Sequence, residues 1–129
     1  MLNQGGYGMI EHKLGEMELR FAKMIWDLAP VESGELVRRC AEAFDWKKST
    51  TYTMLRRLCE RGLFENRGGT VEVLKTKEDY LSMQTELFVN ETFAGSLPKF
   101  LAAFASSRAL DEQEIAALQK MIDDYKKED

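Results

Sequence analysis

Between Leu63 and Leu74 the chain changes rhythm. Upstream, apolar residues return every three or four positions. Here Thr70-Val71-Glu72-Val73-Leu74 alternates, after Leu63-Phe64-Glu65-Asn66 and an Arg67-Gly68-Gly69 centre. Paired glycines accept the positive φ angles of a tight turn, so this stretch reads as a β-hairpin. Three helical patterns precede it. Met17, Phe21, Ile25 and Leu28, with Ala22, share one face from Glu16 to about Leu28, and Pro30 enforces the stop. Ser33 reads as the N-cap of a second helix with the stripe Leu36, Val37, Cys40 and Phe44. After the break Asp45-Trp46-Lys47, a third helix spans about 48–61 and ends at Gly62. Three more follow the hairpin. Thr76 with Asp79 opens one reaching about Phe93. Ser96, with Pro98 in its first turn, restarts another to about Ser106. Asp111 with Glu114 opens a last one to about Tyr125.

Three helices followed by a hairpin, with a short turn joining the second and third, is the order of a winged helix-turn-helix. The expected fold is mainly α with a small β-hairpin: a winged helix-turn-helix domain followed by a helical dimerisation region. Residues 1–13, Gly-rich and aperiodic, read as a flexible N-terminal arm, 14–76 as the DNA-binding domain and 77–129 as the dimerisation region.

Charge sharpens this division. The net charge is −4, yet residues 1–75 hold twelve Lys/Arg against eleven Asp/Glu, while 76–129 hold six against eleven. Within 47–61, Lys47, Lys48, Arg56, Arg57 and Arg61 face Glu60 alone. A basic segment inside an acidic chain says more about partners than the overall balance does. At 100° per residue, Thr51, Met54, Leu55 and Leu58 form the buried stripe of the third helix. Ser49, Thr53, Arg56 and Glu60 lie opposite, with Thr50 and Arg57 on one flank and Tyr52 on the other. Hydroxyls near the start of such a helix can reach base edges, and the cations can neutralise phosphates. The candidate DNA-binding residues are therefore Lys47, Lys48, Ser49, Thr50, Tyr52, Thr53, Arg56 and Arg57, with Arg67 at the hairpin tip as a further phosphate contact.

Other chemistry finds little support. Cys40 and Cys59 read as small hydrophobes, and His12 is the single histidine, so no catalytic set, metal site or cofactor is expected. No apolar run approaches the roughly 18 residues of a membrane span, and the first 15 residues lack a signal-type apolar core. A cytoplasmic location without direct membrane association is expected. The C-terminal third instead holds more apolar side chains than three short helices can cover. Leu81, Phe88, Phe93, Leu97, Phe100, Leu101, Phe104, Leu118 and Ile122 are the candidate homodimer contacts.

The segments MIWDLAP, TTYTMLRRLCERGLFE, SLPKFLAAFA and LDEQEIAALQKMIDDY resemble the BlaI/MecI/CopY family of bacterial repressors, over about residues 14–125. The resemblance implies a winged-helix homodimer that binds a palindromic double-stranded DNA operator and represses transcription. The genes implied are of β-lactam-resistance type or related stress genes, with relief by a membrane-bound sensor protease. The family's base-reading helix would correspond here to Ser49, Thr50, Tyr52 and Thr53. Tyr52 stands where penicillinase repressors tend to carry a basic residue, and Lys48 replaces a Pro. The Asn-Phe bond cleaved in the penicillinase branch corresponds to Ala103-Phe104, where the Phe is kept and the Asn is not. The paired Cys-x-Cys motifs of the copper-responsive branch are missing. The competing expectation is a winged-helix module that binds protein rather than DNA, since the net charge is negative.

Overall fold

The computed structural model describes residues 13–128, so all of the expected arm but Lys13 lies outside the described residues. The chain runs α1 (Glu16–Leu28), β1 (Val31–Glu32), α2 (Ser33–Phe44), α3 (Lys48–Glu60), β2 (Phe64–Arg67), β3 (Thr70–Val73), α4 (Lys77–Phe93), α5 (Leu97–Ser107) and α6 (Glu112–Lys127). Two compact units divide between Leu87 and Phe88, within α4. The sequence places the corresponding boundary after Thr76.

The first unit is a helical platform with a small antiparallel sheet. Gly15 N donates to Glu18 Oε1 at 2.9 Å at the start of α1, and Glu16 and Glu18 favour that positive helix end. Phe21, Ala22 and Ile25 turn inward. They meet Leu36 and Cys40 of α2, Leu55 and Leu58 of α3, and Leu63, Phe64 and Val71 from around the hairpin. A fully buried side chain of this size contributes about 1.5–3 kcal/mol. Thr51 is also fully buried, as its place on the α3 stripe requires, while Met54 at the edge of that stripe is half-buried.

The sequence predicts a two-stranded hairpin; the sheet has three strands in the order β1-β3-β2. β1 is too short to show alternation and forms because the chain after Pro30 lies beside β3, with Val31 opposite Val71. It also displaces the expected cap of α2. Glu32 takes the N-cap position, and Ser33 is the first helical residue. Ser33 N donates to Gly69 O at 2.8 Å, and its buried hydroxyl lies 3.1 Å from the Tyr52 hydroxyl. A buried hydroxyl needs such a partner. The hairpin turn itself is as expected: Gly68 and Gly69 have φ values of 61° and 97°.

Two bonds fasten the start of α4 to this unit. Trp26 Nε1 donates to Lys75 O at 2.9 Å, and Leu14 N donates to the buried Tyr80 hydroxyl at 3.0 Å. Thr76 and Asp79 cap the helix reciprocally, each backbone N–H reaching the other's side chain at 3.0 Å.

In the second unit, Phe88, Phe93 and Phe100 form an edge-to-face cluster with centroids 5.8–6.2 Å apart. Ser96 caps α5 and Asp111 caps α6. No residue of α5 or α6 is buried. The Arg108 guanidinium and then the Asp111 amide hold the Glu114 carboxyl down to about 2, from an ordinary value near 4.5. A carboxyl lowered in the folded state stabilises above its unfolded value and loses that contribution as pH falls through the folded one. The start of α6 is therefore expected to fray between about pH 4.5 and pH 2. An NMR titration of Glu114 checks this; a midpoint near 4.5 would contradict it.

Candidate nucleic-acid interface

The third helix is held from behind. Thr51, Leu55 and Leu58 are buried, and Arg61, at its C-cap, lies 3.8 Å from Glu18 of α1. Burial of one face fixes which residues meet solvent on the other. Lys47, Lys48, Ser49, Thr50, Thr53, Arg56 and Arg57 are all exposed. Helix and core thus bring together most of the expected DNA-binding set.

Tyr52 is placed differently. It is half-buried against the core, and its hydroxyl is engaged with Ser33. Its position on the flank toward α2 makes it a link between the two helices of the motif. The signal was legible in part, since a tyrosine flanking a buried stripe is an amphipathic side chain whose polar tip seeks a partner.

The state of the charges is informative. On α2, Glu35 accepts from both Arg38 and Arg39, and Arg38 also reaches Glu42. The two arginines hold the Glu35 carboxyl at about 2, Arg38 contributing most. That helix neutralises itself. Among the described residues, Lys47, Lys48, Arg56 and Arg57 have no carboxylate in salt-bridge reach; Arg57 Nη1 rests 3.8 Å from Met54 Sδ. The N-cap of α3 is Lys47, with no side-chain acceptor, and its first turn holds no acid. Positive charge at a helix N-terminus opposes the macrodipole, so this helix end favours an anion from outside the chain.

Arg67 departs from this pattern. Its Nη2 and Nε both donate to Glu65 Oε2, at 2.5 and 3.1 Å. The hairpin arginine is exposed but already paired.

Cys40 is buried and Cys59 half-buried, and burial pushes both thiols up. Neither has thiolate character. Among the described residues no group of His, Cys, Asp and Glu is placed to hold a metal ion, and no helix is long and apolar enough to cross a membrane.

Of the expected dimer contacts, Leu81 is exposed in the first unit. In the second, Phe88, Leu97 and Ile122 are 50%, 62% and 52% exposed, and Phe104 is 39% exposed. Phe93, Phe100, Leu101 and Leu118 are half-buried. Phe100, Leu101, Phe104, Leu110 and Leu118, with Ala117, Arg108 and Glu114, line an open apolar groove of about 330 Å³. Sequence reasoning missed Tyr125, the most exposed large hydrophobic side chain among the described residues at 71%; it lies one turn beyond Met121 and Ile122, which marks it as part of the same face. Ala103 and Phe104 sit inside α5.

A model of the family described as Penicillinase repressor matches residues 14–124. A penicillinase repressor of Bacillus licheniformis is 25% identical over 118 residues, covering 88% of this chain and 92% of that protein. That match spans both the three-helix and hairpin unit with its open cationic helix and the apolar helices that follow, so the chain belongs to the penicillinase repressor family.

Proposed function

We propose that this protein is a DNA-binding transcriptional repressor that engages a palindromic operator as a homodimer in the cytoplasm. The observation that carries the reading is α3, whose solvent face presents hydroxyls and uncompensated cations while its other face is anchored in the core. Ser49, Thr50 and Thr53 act at base edges, with Tyr52 bracing the helix from its flank. Lys47, Lys48, Arg56 and Arg57 act at phosphates. The unburied apolar helices α5 and α6 support pairing with a second copy. Two-fold symmetry then calls for half-sites about one helical turn apart.

Titration against an upstream duplex and a scrambled one, at two salt concentrations, tests this. Four phosphate contacts per subunit give a log–log salt slope of about −7 for the dimer. Thr50→Ala or Thr53→Ala is expected to cost about 1–3 kcal/mol on the operator and little on scrambled DNA. Arg57→Ala is expected to weaken both alike and to flatten the slope by about one unit per lost contact. Salt-independent binding would favour the protein-docking alternative instead.

Relief by a membrane-bound sensor protease falls, on this reading, at Ala103–Phe104. The bond lies within helical α5, so cleavage requires local opening of that helix.

A further inference from the structure

The outer face of the small sheet has the wrong charge for gripping DNA. The register sets Glu65 directly opposite Glu72, and Glu32 opposite Thr70, which in turn faces Arg67. Thr70 Oγ1 donates to Glu32 Oε2 at 2.9 Å, so that carboxylate is held on the same face. Glu32, Glu65 and Glu72 thus share this face with Arg67, its one guanidinium, and Glu65 and Glu72 act on it directly. Like charges directly across an antiparallel pair are destabilising, so the Glu65–Glu72 pairing adds nothing to the stability of the hairpin. Arg67 is committed to Glu65 through two nitrogens. Glu65 is also close to α3. Burial raises the Cys59 thiol of α3 first, a hydrogen bond with the Asn66 backbone works against it, and the Glu65 and Glu60 charges add smaller upward contributions.

Resting on the DNA-binding reading above, we propose that the hairpin is an electrostatic brake. Glu65 and Glu72 keep Arg67 in an internal ion pair and repel the phosphate backbone, so the hairpin subtracts affinity from every duplex while α3 chooses among them. A phosphate contact needs a free cation that can displace the counterions condensed on the DNA. Arg67 has exchanged that role for a neighbouring carboxylate. The neutralising work falls to Lys47, Lys48, Arg56 and Arg57, which have no such neighbour. The effect is a repressor that leaves non-cognate DNA readily.

The test is a mutant cycle on the full chain, read as affinity and salt slope on operator and scrambled duplexes. Arg67→Ala is expected to leave the slope unchanged. Glu65→Gln, which keeps the side-chain shape, is expected to tighten both duplexes by about three- to tenfold and to steepen the dimer slope by about two units, as two freed arginines find phosphates. The Glu65→Gln/Arg67→Ala double variant is expected to return to the wild-type slope. Glu72→Gln, which leaves the Arg67 pair intact, is expected to tighten binding at unchanged slope. Melting temperatures no lower than wild type would show that the hairpin survives in each glutamine variant. If Arg67→Ala flattens the slope by about two units, or Glu65→Gln leaves affinity within twofold, the brake is overturned while the DNA-binding reading stands. A wild-type protein without salt-dependent DNA binding would overturn both.

Discussion

Ile122→Asp and Leu97→Asp are each expected to convert the protein to a monomer and to weaken operator binding by at least about a hundredfold. The argument begins with area. Both side chains are more than half exposed on the second unit, which buries no residue of α5 or α6. A partner copy that covers them removes their surface from water at about 25 cal/mol per Å². A carboxylate in that position is desolvated without a partner charge, which is strongly unfavourable. Loss of the second subunit removes the second half-site from reach, and with it the millimolar effective concentration that linkage supplies. These positions separate assembly from folding better than Phe100 does. Phe100 lies within 6.5 Å of the Phe88, Phe93 and Phe104 rings, so a charge there would disrupt the unit itself. Sedimentation velocity at micromolar concentration, with circular dichroism as the folding control, reads the outcome. A dimer that persists in both variants would remove this face from the interface.

Phe64→Ala is expected to cost about 3–5 kcal/mol, a large share of the 5–15 kcal/mol that holds a typical domain folded. Phe64 is fully buried on β2, with the Trp26 ring 5.5 Å away and Val73 across the strand pair. Truncation leaves a cavity under the sheet that the surrounding packed core cannot fully collapse to fill. The same aromatic group supports Trp26, whose indole holds Lys75 at the entry to α4. Urea denaturation followed by tryptophan fluorescence gives the measurement, since Trp26 and Trp46 both report on this core. DNA binding is expected to fall with the folded fraction. A cost below about 1 kcal/mol would show that the sheet does not depend on this ring.

Much of this architecture was legible because its signals are local. The apolar spacing of Phe21 and Ile25, the glycine pair at the hairpin and the reciprocal Thr76–Asp79 cap each specify geometry within a few residues. The features that escaped are those the tertiary fold imposes. β1 consists of two residues with no pattern of their own, and it exists because Val71 lies beside it. Ser33 has the chemistry of a cap, yet burial directs its hydroxyl to Tyr52, nineteen residues away. On the candidate interface, the turn angles of α3 sorted buried from exposed positions well, except that Met54 is only half-buried. The pairing of Arg67 was in principle readable. Positions 65 and 67 share a face of any strand, so a carboxylate two residues before an arginine is a ready partner. The opposing Glu72 was not, because register depends on how the turn closes.

Ser33 is the point where three elements meet. Its amide is bound to Gly69 at the hairpin turn and its hydroxyl to Tyr52 on α3, while its own backbone begins α2. The hairpin is therefore no independent flap. For it to swing, the first turn of α2 must give up the Ser33–Gly69 hydrogen bond, at the same residue whose hydroxyl anchors the tyrosine that braces α3. Such interlocked bonds open as one cooperative unit rather than in sequence. If α3 meets DNA as proposed above, it does so at a single fixed attitude, and accommodation to imperfect sequences has to come from bending of the duplex.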